Sequence, residues 1–371
     1  MAEAKKPRYD RNSPEARALI DEIVHGTFVK EGTMVAFPTC FPGATVPIPA
    51  DESHITALDS TGDGIIYGGT SGRAAHLFVA MFHGVTGLVF DRGTVAGADH
   101  CAAVCCGVKK FAACVNGVDG GRVLIGDLQR LPFDLIQEWG FSRTRFHDLG
   151  KVDGEPVVHA IVDETRSSMV GITKSHLFTL RFEEGKVEIA GEVPGDGCIA
   201  LTSKGSVVGQ DGARHLWRYD TNSRQLRRQD VPLPEAAWDK GPLSWAKGRH
   251  KGLLHAADGN GAIYAFDEQG GFSAPLGRTQ LTPVGPMAVT HDGRVFGFCG
   301  AEMAKMFCFD PGRKQVTDLG VAASVLERRR YGYVFGDAVT GREGEIIFGE
   351  DDDLGHLWLY FPRIQPPSGT S

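Results

Sequence analysis

The sequence predicts an all-β protein, and two observations lead to that fold class. A short pattern recurs along the 371 residues: a glycine, a few mostly apolar residues, a second glycine, a loop and another apolar stretch. It occurs at Gly64–Gly68, Gly205–Gly209, Gly293–Gly297 and Gly344–Gly349. The chain also contains 49 glycines, which suits many tight turns, and long segments with helical periodicity are scarce.

The spacing of the pattern narrows the fold class to a seven-bladed β-propeller. Aligning one position in the second apolar stretch of each repeat gives seven members: Met81, Asp127, Arg181, Asp220, Asp267, Asp310 and Phe361. Their average separation is about 47 residues, close to the length of a propeller blade. We therefore predict seven blades of short strands, with six or eight as alternatives.

The ends of the chain give the domain boundaries. Ser13-Pro14-Glu15 combines an N-cap, a first-turn proline and an acidic residue, so a short N-terminal helix is predicted from Glu15 to about Val29. We predict a helical extension over residues 1–32, a single propeller over 33–362 and a Pro-rich tail over 363–371. The last blade has only three strands before the tail, so residues 33–37 are predicted to supply its fourth strand and close the ring.

Composition narrows the classes of partner. The net charge is −7 and the isoelectric point is about 6.0, which argues against a nucleic-acid binder. Apolar runs fall short of the ~18 residues of a membrane span, and the N-terminus is polar, so we predict a cytoplasmic protein with no membrane partner. The eight cysteines lack zinc spacing and are interpreted as small buried thiols.

The predicted fold also indicates where a site should lie. In a propeller the innermost strands and several loops meet on one face around a central funnel. Aligning the starts of the innermost strands brings five side chains from contiguous blades to one sector of that funnel: His54, His100, His159, Tyr331 and Tyr333. One histidine alone usually only bonds a backbone carbonyl, but their coincidence predicts a shared site.

Further candidates come from the same alignment. His255 occupies a column that is glycine in most blades, which suggests a functional reason for an imidazole there. Arg73 lies in a loop of the first blade, and one of Arg328, Arg329 and Arg330 should face the funnel, although the sequence does not show which. The acidic run Glu350 to Asp353 is interpreted as a charged turn, with a divalent metal as the alternative. Other histidines begin equivalent strands and are interpreted as structural: His76, His176, His215 and His356.

The segment from Ile65 to Phe78, with its echo at Gly349 to Trp358, resembles blades of bacterial seven-bladed propellers, some of which are polysaccharide lyases that act on uronic acids. The resemblance implies a carbohydrate-active enzyme that cleaves uronate-containing oligosaccharides by β-elimination. Such chemistry needs a cation for the carboxylate, a base for the α-proton and an acid for the leaving oxygen. Candidates for the cation are Arg330 and Arg73, for the base His100 and His159, and for the acid Tyr331 and Tyr333, with His54 and His255 as further substrate contacts.

Two other functions are compatible with the sequence. A non-catalytic propeller could bind a small molecule or a protein partner, since this fold often serves as a scaffold. Exposed Trp238 and Trp245 and an apolar funnel would favour that function. A metal-dependent hydrolase using two or three of the histidines has no local ligand motif to support it.

Overall fold

The computed structural model describes residues 13–18, 32–40, 47–84, 86–128, 146–195, 197–212, 214–237, 240–325 and 330–363. Within these ranges the chain forms seven antiparallel four-stranded blades, which confirms the predicted β-propeller. We label the strands of each blade A to D from the central channel outward. The face on which strand A begins is called the top face, and the face on which it ends is called the bottom face.

The first three blades follow the sequence in order. Blade 1 contains His54–Ser60, Ile65–Ser71, His76–His83 and Thr86–Thr94. Blade 2 contains His100–Cys106, Lys110–Gly117, Gly120–Asp127 and Phe146–Lys151. Blade 3 contains Val157–Val162, Ser168–Thr173, His176–Arg181 and Lys186–Glu192. Short 3-10 turns lie before blade 1 at Ala50–Glu52 and after blade 4 at Glu235–Ala237.

Among the remaining blades, blade 5 has a divided outer strand and blade 7 takes its outer strand from the N-terminal part of the chain. Blade 4 contains Ala200–Leu201, Ser206–Asp211, His215–Asp220 and Gln225–Pro232. Blade 5 contains Ser244–Lys247, Leu254–Ala257, Ala262–Asp267 and an outer strand in two pieces, Gly271–Phe272 and Gly277–Arg278. Blade 6 contains Val284–Val289, Val295–Cys299, Lys305–Asp310 and Gln315–Ala323. The short strand Tyr331–Gly332 pairs antiparallel with the end of Gln315–Ala323. Blade 7 contains Phe335–Thr340, Ile346–Glu350, His356–Pro362 and, as its outer strand, Gly32–Pro38.

The two ends of the chain meet in blade 7. Gly32–Pro38 pairs antiparallel with His356–Pro362 along its whole length, with Val35 opposite Leu359. This pairing gives strand C a neighbour and completes the ring. The described part of the N-terminal helix covers residues 14–18, and Ala16 N–H donates to the Ser13 hydroxyl at 3.1 Å as an N-cap. The rest of the predicted helix and tail lies outside the described residues.

The recurring glycine is explained by the ring that lies over it. In blades 1, 3 and 4 a glycine of strand B stands opposite a buried aromatic residue of strand C: Gly68 and Phe78, Gly171 and Phe178, Gly209 and Trp217. A Cβ atom at Gly68 would lie 2.1 Å from the Phe78 ring, so a side chain cannot occupy that position. The buried aromatic rings then pack between neighbouring blades, where the hydrophobic core lies.

The innermost strands carry an irregularity that shifts their register. A bulge separates Ile55 from Ala57 in blade 1, and equivalent bulges occur in blades 2, 3 and 7. As a result His159 and Asp337 occupy the position of Ala57 in their blades. The alignment from sequence differs from this register by one residue in blade 3 and by three in blade 7.

Candidate functional site

Two strand starts and one strand end meet on the top face between blades 1 and 2. His54 and His100 are the first residues of strand A in these blades, and Ser71 ends strand B of blade 1 directly opposite His54. The Ser71 hydroxyl lies 2.8 Å from His100 Nδ1. The sequence prediction that His54 and His100 share one sector of the funnel therefore agrees with the geometry. We call His54, Thr56, Ser71, His100 and Asp351 the rim site.

Hydrogen bonds fix the tautomer of His100. The Thr56 hydroxyl donates to the Cys101 carbonyl at 2.7 Å, so the proton in the 2.7 Å contact between Thr56 and Ser71 comes from Ser71. Ser71 Oγ also accepts the Cys101 N–H at 3.2 Å. With its own proton used, Ser71 can only accept from His100, so Nδ1 of His100 carries the proton. Its Nε2 then presents a lone pair at the rim.

The surroundings keep His100 neutral. Desolvation by the surrounding protein lowers the pKa of its imidazole, and the nearby Asp351 and Asp99 carboxylates oppose this shift. Part of the side chain nevertheless remains exposed at the top face. A neutral, oriented imidazole with an accessible lone pair can accept a proton from a bound molecule.

His54 has the opposite electrostatic environment. Its Nδ1 lies 3.1 Å from Asp351 and its Nε2 lies 2.9 Å from Asp353, both on the loop after strand B of blade 7. The hydrogen bond to Asp351 is the main reason that the pKa of His54 is raised, with Asp353 adding to it. These contacts therefore favour the protonated, imidazolium form of His54. Because the Asp353 side chain is 70 % exposed, a ligand oxygen can replace it at Nε2.

The predicted arginines are engaged in ion pairs. The Arg73 side chain is 69 % exposed and pairs with Glu52 at 2.6 Å. Glu52 also contacts the buried His76 at 2.6 Å, and this pairing stabilises the loop that carries Arg73. Arg330 points into blade 7, where it pairs with Glu350 at 2.9 Å. Arg328 and Arg329 lie outside the described residues.

His159 lies deeper, in the channel rather than at the rim. Its Nδ1 accepts the Ile199 N–H at 3.3 Å, which links blade 3 to blade 4. Desolvation lowers the pKa of His159 to about 4, with a smaller contribution from the positive charge of Lys247. The one lone pair of this neutral ring already accepts a hydrogen bond, so the geometry favours His100 over His159 as a base.

An ion pair that the sequence analysis missed crosses the channel. Lys247 Nζ, from strand A of blade 5, lies 2.5 Å from Asp337 of blade 7 and donates to the Leu58 carbonyl of blade 1 at 2.7 Å. Asp337 also accepts the Leu58 N–H at 2.7 Å. These contacts join three blades across the channel. A charged residue inside an otherwise apolar innermost strand was the sequence signal that could have revealed them.

A second carboxylate joins neighbouring blades at the lower end of the channel. Asp59 accepts the Cys106 N–H at 2.6 Å, and desolvation raises the pKa of its carboxyl. Arg166, from the turn after strand A of blade 3, donates to the Ser60 and Cys106 carbonyls and lies 4.0 Å from Asp59. The polar groups of the lower channel therefore satisfy one another.

The two predicted tyrosines lie in the segment between blades 6 and 7. Tyr331 pairs with Ala323 on the outer strand of blade 6, and Tyr333 accepts the Ala304 N–H through its carbonyl. Both tyrosines therefore precede strand A of blade 7 instead of lying on it.

His255 lies between blades 5 and 6, away from the rim. Ala256, not His255, stands opposite the aromatic Tyr264 and so occupies the glycine column. His255 is 1 % exposed, its ring meets Phe309 edge-on at 5.6 Å, and neither ring nitrogen has a hydrogen-bond partner among the described residues. Desolvation lowers its pKa to about 4.

Several other features bear on function. Among the described residues, no group of three or more His, Cys, Asp or Glu side chains is placed to hold a metal ion. All eight cysteines are free, and Cys198 alone is exposed. Trp245 is buried, whereas Trp238 lies outside the described residues. Within the described chain no helix has the length and apolar character needed to cross a membrane.

Comparison with known proteins supports the fold. No protein-family model and no curated protein matches the sequence. The structure is similar to virginiamycin B lyase from Staphylococcus aureus, with a TM-score of 0.61 and 9 % identity over 89 % of this chain and 99 % of that chain. A catalytically inactive histidine-to-alanine variant of that lyase, with quinupristin, gives 0.59 at the same identity and coverage. A Bacteroides thetaiotaomicron protein of unknown function gives 0.51 at 9 % identity, over 89 % and 76 % of the two chains. At this identity the likeness shows a shared propeller fold.

Proposed function

We propose that this protein is a lyase that carries out proton transfer at the rim site, with His100 as the base and His54 as the acid. The observation that carries the proposal is the series of hydrogen bonds that links Thr56, Ser71 and His100. It leaves the lone pair of His100 Nε2 accessible. Beside it, the His54 imidazolium has an N–H that a leaving oxygen can reach in place of Asp353. Neighbouring groups with pKa values shifted in opposite directions are typical of acid–base catalysis.

A uronate-containing oligosaccharide is the substrate class that we propose from the sequence resemblance. Binding of such a substrate at the rim site requires a cation, because the nearby carboxylates would repel a uronate carboxylate. These carboxylates belong to Asp51, Asp99, Asp351 and Asp353. Arg73 is an exposed cation of this face, and releasing it from Glu52 would let it bind that carboxylate bidentately. The alternative is a divalent cation that enters with the substrate. The similarity to virginiamycin B lyase keeps elimination on other substrates open.

The test follows unsaturated product by absorbance near ~235 nm, since elimination at a uronate creates a conjugated double bond. A panel of uronate oligosaccharides and virginiamycin B are each assayed with and without Mg²⁺, virginiamycin B by chromatography. We expect His100→Gln to reduce turnover by about 10²- to 10⁴-fold. His83→Gln is the matched control, because His83 is exposed on the bottom face of blade 1.

The pH profile sharpens the assignment. His100 must be neutral and His54 charged, so kcat/KM should rise as pH increases through the lowered pKa of His100 and fall through the raised pKa of His54. Turnover by His100→Gln at the wild-type rate would overturn the assignment. Ligand binding without turnover across the panel would instead favour a non-catalytic binding propeller.

A further inference from the structure

A second site candidate lies on the bottom face, opposite the rim site. A groove of about 590 Å³ opens between blades 3 and 4, within the usual size range of small-ligand sites. One wall comes from the turn after strand A of blade 3 and from its strands B and C. The other wall comes from the turns of blade 4 at residues 203–205 and 221–224 and from Tyr219.

The carboxylates of the groove already have partners. Asp163 accepts hydrogen bonds from the Ser167 N–H at 2.9 Å, the Ser167 hydroxyl at 3.0 Å and the Ser168 hydroxyl at 2.7 Å. Glu164 pairs with Arg249, which follows strand A of blade 5. The negative charges of the groove are therefore largely compensated by the protein itself.

Two cations of the groove are not compensated in this way. Lys204 and Arg224 line it, and in the described part of the chain neither has a carboxylate within ion-pair distance. Arg224 acts electrostatically on Glu188, but that carboxylate is engaged by Lys186 at 2.7 Å. The third cation, Arg181, pairs with Glu184. Lys204 acts electrostatically on Asp267, whose carboxylate accepts the Gln269 and Gly270 N–H groups. The groove therefore has two positive charges without a direct ion pair among the described residues.

Tyr219 adds an independent sign of a ligand. The residue is 2 % exposed, yet no hydrogen bond joins its hydroxyl to any described residue. The oxygen is not sealed inside the protein, so it opens into the groove that the residue lines. Buried tyrosines normally find a partner, as Tyr264 does by donating to Asp258 at 3.1 Å.

We propose that this groove binds an anionic ligand through a phosphate group, with Lys204, Arg224 and the Tyr219 hydroxyl as its contacts. A guanidinium donates in a fork, an ammonium supplies a compact charge and a phenol adds a directed donor, which together suit a tetrahedral oxyanion. The volume leaves room for an organic group on the phosphate, so a phosphomonoester fits better than the free ion. The inference does not depend on the chemistry of the rim site.

The experiment is isothermal titration calorimetry of the full chain with inorganic phosphate, glucose 6-phosphate and glucose. We expect saturable binding of both phosphates, tighter for glucose 6-phosphate, and none of glucose. Lys204→Gln and Arg224→Gln should each weaken binding by about tenfold, and binding should fall with ionic strength. Tyr219→Phe should weaken it several-fold without lowering the unfolding temperature, because the hydroxyl has no partner to lose.

The chain offers a close control. Lys314 lies in the same turn of blade 6 as Arg224 does in blade 4, and both residues have a left-handed backbone, with φ of 52° and 56°. Lys314→Gln removes an equivalent surface charge from the same turn geometry and should leave affinity unchanged. The proposal is overturned if neither phosphate binds saturably, or if Lys314→Gln weakens binding as much as Arg224→Gln does. Binding unaffected by all three groove variants would overturn it as well.

Discussion

His100 at the rim and His255 between blades 5 and 6 have the same side chain, and desolvation lowers the pKa of both. Their hydrogen bonding separates them. His100 is held by Ser71 and keeps an exposed edge, whereas His255 is sealed against Phe309 with both ring nitrogens unpartnered among the described residues. The difference teaches that a lowered pKa alone does not mark a base. A fixed tautomer and an accessible lone pair are also required.

The strongest test of this contrast concerns acid stability. His255 binds a proton below pH 6.5 when unfolded but only near pH 4 when folded, so its contribution to the free energy of unfolding falls as pH drops through that window. Between pH 6.5 and 4 the wild type should lose up to about 3 kcal/mol of its free energy of unfolding through His255. We expect the His255→Leu variant to lack this loss. Urea denaturation at several pH values measures it.

His159 has a similarly lowered pKa, so the His255→Leu variant should retain part of the acid sensitivity. His83→Leu serves as the comparison, because it replaces an exposed histidine of another blade with the same side chain. If His255→Leu followed the wild-type curve, His255 would have a partner for its proton, and the contrast with His100 would fail.

A second test uses the charged residue at the same joint between blades 5 and 6. Lys247 pairs with Asp337 across the channel, and Lys247→Met would leave the carboxylate without a cation. We expect the free energy of unfolding to fall by about 2 kcal/mol. This is less than for a fully buried pair, because the Lys247 side chain is 31 % exposed. Thermal and urea unfolding report the change.

The double variant with Asp337→Asn should recover much of that loss, since it removes the unpaired charge. Its rim site should be unaffected, because His100 and His54 lie above the pair. A loss of turnover in the double variant at wild-type stability would show that the channel pair belongs to the catalytic site.

The smallest expected effect comes from the residue that orients His100. Ser71→Ala removes the acceptor that holds the Nδ1 proton, so a fraction of His100 adopts the other tautomer. We expect kcat to fall by about tenfold with little change in KM. Imidazole nitrogen NMR shifts should show Nδ1 protonated in the wild type and a mixture in the variant. An unchanged tautomer would remove the main support for His100 as the base.

The sequence was informative wherever packing repeats. The glycine opposite the strand-C aromatic residue in blades 1, 3 and 4 is set by close contact, so it recurs in the chain and reveals the blades. His54 and His100 were placed correctly relative to each other because blades 1 and 2 share the same bulge position. His255 was assigned to the wrong column because histidine and alanine are adjacent there, and a one-residue shift moves a side chain to the opposite face of the sheet.

The sequence by itself determined the seven-bladed β-propeller and the pairing of two histidines at neighbouring strand starts, because both follow from local periodicity. The tertiary structure decided which lone pairs and charges are free. His159, Arg330 and Tyr331 were candidates by spacing, yet contacts from other blades engage His159 and Arg330 and set Tyr331 beside blade 6. Lys247 and Asp337 are 90 residues apart, and only ring closure brings them together. Such contacts depend on the geometry of the whole ring, which no local pattern records.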